Sequence, residues 1–181
     1  MHMTRIRALA VVGLLAVSAI VLVVLTISRD TQNHQVQAET CKPGQVPVSL
    51  TMPNEPEVNI KVFNATQTQG LGASVAADFK NRNFNVAKID GEKDAAGKDI
   101  YYPDEVAILR YGPKTVGAAH LVRAYFLNDA TMKFDIKRED DVVDVVIGGN
   151  FKQLATPTEM RQAVAILGHP KLPAGTCSAN P

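Results

Sequence analysis

From Ala8 to Ile27 the chain reads "ALAVVGLLAVSAIVLVVLTI", without one charged side chain. A helix of that length rises about 30 Å, the hydrocarbon thickness of a bilayer. This run constrains the fold more than any other feature, because it takes the N-terminal segment out of any water-soluble core. A cleaved signal peptide is the competing reading. Its apolar region would usually be about 7–15 residues long and would end in a small-x-small site. Here β-branched residues continue to Ile27, and "TISRD" offers no such site. The segment is therefore expected to be a retained anchor. Arg5 and Arg7 precede it, which predicts a short cytoplasmic N-terminus and an extracytoplasmic remainder.

On that side of a membrane thiols tend to be oxidised. The chain has two cysteines, Cys41 and Cys177, which bracket nearly everything after the apolar run. One disulfide is the natural pairing, closing a loop of about 135 residues, with two free thiols as the alternative. No metal site is expected. Two cysteines and the scattered His2, His34, His120 and His169 have no ligand spacing. The net charge is +1 and Lys and Arg do not cluster, which argues against nucleic acid as a partner.

The organisation follows from composition and periodicity. Residues 1–7 form the cytoplasmic end and 8–27 the membrane helix. Residues 28–57 read as an extracytoplasmic stalk and a proline-rich extended arm, since proline lacks a donor and breaks regular structure. Alternation from Val58 to Phe63 predicts a strand. A helix follows from Leu71 to Arg82, with Leu71, Val75, Ala76 and Phe79 on its buried face. Strands are expected over 84–90 and 105–111, separated by a polar loop holding Tyr101 and Tyr102. A second helix spans Thr115 to Leu127, with Val116, Ala119, Val122 and Phe126 inward. Strands over 131–137 and 142–148 come next, and the acidic "REDD" between them reads as a hairpin connection. A last helix is signposted by Thr156 as cap, Pro157 in its first turn, Glu159 completing a capping box, and Gly168 as its end. Its buried face is expected to be Met160, Val164 and Leu167. The expected fold is α+β: a two-layer sandwich of a mixed four- to five-stranded sheet with two main helices, ordered β-α-β-β-α-β-β, plus a C-terminal helix. Residues 152–181 are that helix and a tail tethered by the disulfide.

"VFNATQTQGLGASVAADFKNRNFNV" resembles the opening of the LytR C-terminal domain family through Asn64, Gly70, Leu71, Ala76 and Phe84 to Val86. "VAILRYGP" (106–113), "AAHLVRAYF" (118–126) and "DVVIGGNF" (144–151) continue the resemblance, which covers about 58–151. Asn83 stands where the family favours glycine, and Gly72 where it favours alanine. Together with the N-terminal span and the flanking cysteines, the chain is similar to actinobacterial envelope-integrity members of the family. The resemblance implies a bacterial envelope protein. In longer relatives this domain follows a phosphotransferase domain that attaches glycopolymers to the cell wall; the chain looks like the accessory half alone.

Gly70 and Gly72 lie between a strand and a helix, with Asp90 beyond a second strand, an order that suggests a dinucleotide turn. The spacing argues otherwise. Asn64 to Gln69 separate strand from glycine, Val75 occupies the third glycine slot, and no helix joins the strands over 84–90 and 105–111. A plain β-α turn, with Asn64 bonding its own backbone, is expected, and no cofactor. "REDD" and Asp144 offer paired carboxylates, but acid–base work needs a buried one with a raised pKa, and a solvated turn does not supply it. His120 reads as a helix-surface histidine. Tyr101, Tyr102 and Tyr111 could stack on sugar rings and Arg110 could meet an anionic polymer. With Asn64 these form the candidate partner or glycan surface. The expected function is non-catalytic: a membrane-anchored protein supporting envelope integrity through envelope or cell-wall proteins. A module binding cell-wall glycan is the alternative, and a nucleotide sensor built on the Gly70 turn a third.

Overall fold

The computed structural model describes residues 41–179 and, nearer the N-terminus, Gly13 and residues 16–21. The chain divides into two compact units, Met1–Gln37 and Ala38–Pro181. Gly13 and residues 16–21 are helical and exposed. No helix among the described residues is long and apolar enough to cross a membrane. The span expected over 8–27 lies mostly outside those residues, as do the N-terminus and most of the stalk.

The second unit holds a five-stranded mixed sheet with helices on one face. Its strands are β2 (Asn59–Asn64), β3 (Asn85–Gly91), β4 (Ala107–Tyr111), β5 (Thr131–Phe134) and β6 (Val142–Ile147), in the spatial order β3-β2-β6-β4-β5. Helices α1 (Leu71–Asn81) and α2 (Val116–Ala124) join β2 to β3 and β4 to β5, each pair parallel. Strand β6 lies between the two β-α-β units, parallel to β2 and antiparallel to β4. The units therefore run in opposite directions, like two copies turned about an axis perpendicular to the sheet. Crossovers of one hand related in this way place both helices on the same face. One apolar cluster follows, shared by Ile60 and Val62 of β2, Leu109 of β4, Val143 and Val145 of β6, Val75 and Phe79 of α1, and Ala119 and Val122 of α2. Phe79, fully buried, meets Phe84 edge-on at 5.1 Å between ring centroids, and Phe84 meets Tyr125 at 5.2 Å. Burying one such ring contributes about 2–3 kcal/mol.

The two-layer α+β architecture agrees with the expectation, and so do the inward positions on α1 and α2, with Leu71 only partly buried. Three local readings are corrected. "REDD" is not a hairpin: β5 and β6 are not neighbours, and residues 135–141 cross the end of β4 to reach its other side. Two adjacent apolar runs are indistinguishable from a hairpin by period alone. Gly112 accommodates this crossing, since a Cβ there would stand 2.6 Å from the Arg138 carbonyl oxygen. The strand expected over 131–137 stops at Phe134. The arm is not merely extended: β1 (Val46–Val48) pairs in parallel with β7 (Thr176–Ser178) in a separate two-stranded sheet. Cys41 and Cys177 are joined there as a disulfide, 5.5 Å between Cα atoms.

Helix α3 (Pro157–Leu167) is capped as read. The Glu159 amide donates to Thr156 Oγ1, and the Thr156 amide donates to Glu159 Oε2 at 2.8 Å. Its buried residues are Met160 and Ala163, while Val164 and Leu167 pack at the margin. Asn83 has φ 66°, a left-handed conformation that asparagine tolerates better than most residues.

Candidate functional site

The helices leave the opposite face of the sheet uncovered. Side-chain alternation sends Asn59, Lys61 and Phe63 of β2, Ile108 and Arg110 of β4, Lys133 of β5, and Asp144 and Val146 of β6 to that face. Loop 92–105 folds back over part of it. Tyr102 and Phe63 pack on buried Ala65, Ile108 and Val146, forming a second, small apolar cluster. The loop is held close. The Tyr102 amide donates to the Ala65 carbonyl at 3.0 Å and the Gly149 amide to the Tyr102 carbonyl at 2.8 Å. A Cβ on Gly148 would stand 2.2 Å from the Glu105 oxygen.

A chain of ion pairs lies beside this cluster. Arg110 Nη2 donates to Glu92 Oε2 at 2.7 Å, and Glu92 is buried. The same guanidinium lies 5.5 Å from the Phe63 ring centroid, and its Nε is 4.0 Å from Asp144 Oδ2. Arg138 reaches in from the crossover and binds Asp144 through both terminal nitrogens, at 2.9 and 3.0 Å, and Asp140 through Nε at 2.6 Å. Burial works against the Arg138 charge, but its hydrogen bonds to Asp144 and Asp140 outweigh that and raise its pKa. The hydrogen bond from Arg138 holds the Asp140 carboxyl below the usual carboxylate range. On β3 the hydrogen bond from Lys88, helped by the Gly91 amide, does the same for Asp90. Asp140 and Asp90 are therefore ionised at neutral pH, each paired with a cation. Among the described residues no group of three or more His, Cys, Asp or Glu is placed to hold a metal ion.

The residues singled out from the sequence separate here. Arg110 and Tyr102 share the open face, and Tyr101, next to Tyr102 in the loop, is 47% exposed. Tyr111 points the other way. It is 8% exposed, packs on Phe134 at 5.6 Å, and its hydroxyl pKa is raised by burial. Its ring cannot meet a sugar. Asn64 closes its own turn, Oδ1 accepting from the Thr66 amide and hydroxyl and Nδ2 donating to the Thr68 carbonyl. Gly70 enters α1 at φ 77°, and a Cβ on Gly72 would press on Asn64 Cβ at 3.2 Å. Glu92, Phe63, Lys133 and Arg138 complete the face and were not singled out. Phe63 had a signal, as the one aromatic on the polar side of its alternation. Glu92 and Arg138 had none, because tertiary folding alone brings their loops to the sheet. Away from this face, a cleft of about 490 Å³ runs between the arm and α2, lined by Thr51, Pro53, Lys114 and Asp141 among others.

The family described as LytR cell envelope-related transcriptional attenuator matches residues 57–151, more than half of the chain. The chain belongs to the LytR C-terminal family. Within it, the LytR C-terminal domain comprises the whole five-stranded sheet, α1, α2 and the open face. No curated protein matches the chain. Among solved structures, the soluble domain of a conserved hypothetical secreted protein from Mycobacterium marinum is similar, with a TM-score of 0.47 and 21% identity over 70% of this chain and 82% of that one.

Proposed function

We propose that this protein is a non-catalytic, membrane-anchored extracytoplasmic protein that supports cell envelope integrity by contacting cell-wall or envelope proteins. The observation that carries the reading is the Cys41–Cys177 disulfide in a domain of an envelope-related family. Such a bond persists in oxidising compartments and is rare in the cytosol. The uncharged run from Ala8 to Ile27, preceded by Arg5 and Arg7, supports anchoring with the domain outside. The open face is the contact surface: part apolar, with fixed charges of both signs that a protein partner can match. The test is photo-crosslinking in cells from Lys61 and Lys133 on the open face and from exposed Gln162 on α3. Discrete envelope-protein adducts from the first two and none from the third are expected. Equal adducts from all three positions would remove the open face from the proposal.

A cell-wall glycan reading draws on the exposed Tyr101 ring. It is the weaker reading, because the protein's own cations already approach the other aromatic rings. Arg110 sits over Phe63, and Lys133 Nζ lies 5.9 Å from the Tyr102 centroid. Co-sedimentation of the full chain in detergent with purified cell wall, lost in Tyr101→Ala, would restore it to first place.

A further inference from the structure

We propose that edge strand β3 is the seam of a symmetric homodimer, in which two sheets join through antiparallel β3 strands paired about Ile89. Strand β3 ends the sheet, and Asn85 and Ala87 to Asp90 are all exposed along it. Ile89 is 44% exposed at this edge. A long exposed edge carrying an apolar side chain invites strand addition, and proteins blunt such edges with lysine and with bulges. This edge has both, Lys88 and an irregularity where β3 passes Ile60 and Lys61. These devices discourage most strands but suit a second copy. On β3 the sequence Lys88-Ile89-Asp90 is self-complementary in charge when read antiparallel. With Ile89 facing the partner's Ile89, Lys88 faces the partner's Asp90 and Asp90 the partner's Lys88. Both side chains are open to such exchange. They lie on one side of the strand, 2.9 Å apart, with relative exposures of 55% and 44%. Opposite charges directly across two strands stabilise pairing, and like charges oppose it.

The layer above the strand fits the same arrangement. A two-fold axis perpendicular to the sheet places α1 beside the partner's α1. One flank of α1 is already engaged: Arg82, just past its end, bonds the Ala155 carbonyl at 3.1 Å and lies over Tyr125. On α1 itself Ala73 and Ala77 are exposed. Side chains that small let two helices approach to the 8–10 Å typical of packed pairs. The interface is isologous and closes on itself, giving a dimer and not a filament.

The experiment uses the full chain in mild detergent. Among the described residues both native cysteines are paired, so Ile89→Cys adds one thiol. Residues facing each other across antiparallel strands are about 4.5–5.5 Å apart at Cα, within disulfide reach. Oxidation is expected to give a covalent dimer from Ile89→Cys and none from Lys133→Cys on the opposite edge. Sedimentation then tests the charge pattern. Lys88→Glu and Asp90→Lys are each expected to weaken self-association about tenfold or more, since two like-charge pairs replace two complementary ones. Mixing the two single variants is expected to restore association, because the mixed pair is complementary again, and the double variant is expected to self-associate as wild type does. A monomer at every concentration, crosslinking equal at both positions, or single charge reversals without effect would each overturn the proposal. Wild-type circular dichroism for the variants separates these outcomes from misfolding.

Discussion

Arg138 grips Asp144 with both ends of its guanidinium, Nη1 lying 2.9 Å from Oδ2 and Nη2 3.0 Å from Oδ1. The pair ties the 135–141 crossover to β6. Its Nη1 also donates to the Arg110 carbonyl at 3.2 Å, so one side chain joins the crossover to two central strands. Both partners are largely shielded, with side-chain exposures of 14% and 16%. Arg138→Ala is therefore expected to lower stability by about 2–3 kcal/mol, because it leaves Asp144 charged and poorly paired. Arg138→Lys should recover only part of this, since an ammonium cannot reproduce the planar two-point contact. Urea unfolding of the two variants checks the order.

Two glycines should respond differently to alanine. Gly117 opens α2 against the arm, and a Cβ there would stand 2.0 Å from the Thr51 carbonyl oxygen. Gly117→Ala is expected to push the arm off the helix and cost about 1–3 kcal/mol or more. Gly70 has open space around it but sits at φ 77°. Gly70→Ala should cost about 1–2 kcal/mol, from backbone conformation alone. Thermal unfolding measures both. Added proteolysis between Cys41 and Glu57 is expected for Gly117→Ala only.

Cys41→Ser and Cys177→Ser should each lose the same bond and so show the same loss of stability. Their sequence separation is 136. A loop that long corresponds to about 4–5 kcal/mol of chain entropy in the unfolded state. The double variant should match either single one in denaturant unfolding. A markedly different effect from one cysteine would mean that it acts through something besides the bond.

His120 links α2 to the end of α3, with Nε2 2.8 Å from the Gly168 carbonyl oxygen. Partial burial lowers its pKa below 6.5, and the nearby Arg123 and His169 charges add to this, although the Gly168 contact opposes it. The unfolded chain therefore takes up the proton at higher pH than the folded one. The stability tied to the neutral ring is fully present above about pH 6.5 and is lost as pH falls through the folded value. NMR titration of the ring should show a midpoint below 6.5. His120→Asn should flatten the fall in unfolding free energy between about pH 7 and 5.

Much of the fold was written in local pattern. Alternation in "VNIKVF" and "VVDVVI" marks the inward residues Ile60, Val62, Val143 and Val145, because a strand with one buried face must alternate. Thr156, Pro157, Glu159 and Gly168 announce α3 because orphan backbone groups at helix ends need those side chains and conformations. Strand order was beyond such signals. Whether residues 131–134 and 142–147 pair directly or flank β4 depends on which arrangement buries the most apolar surface, a property of all five strands together. The site divides between local and long-range causes. Tyr102 and Arg110 were visible as residue types, but Tyr111, one position from Arg110, turns into the core by the parity of β4. Glu92 and Arg138 reach the sheet only because loops distant in sequence close over it. Local chemistry settled which segments become helix or strand and which side of each is apolar. Long-range packing settled the neighbours of each strand, and with them which charges meet on the open face.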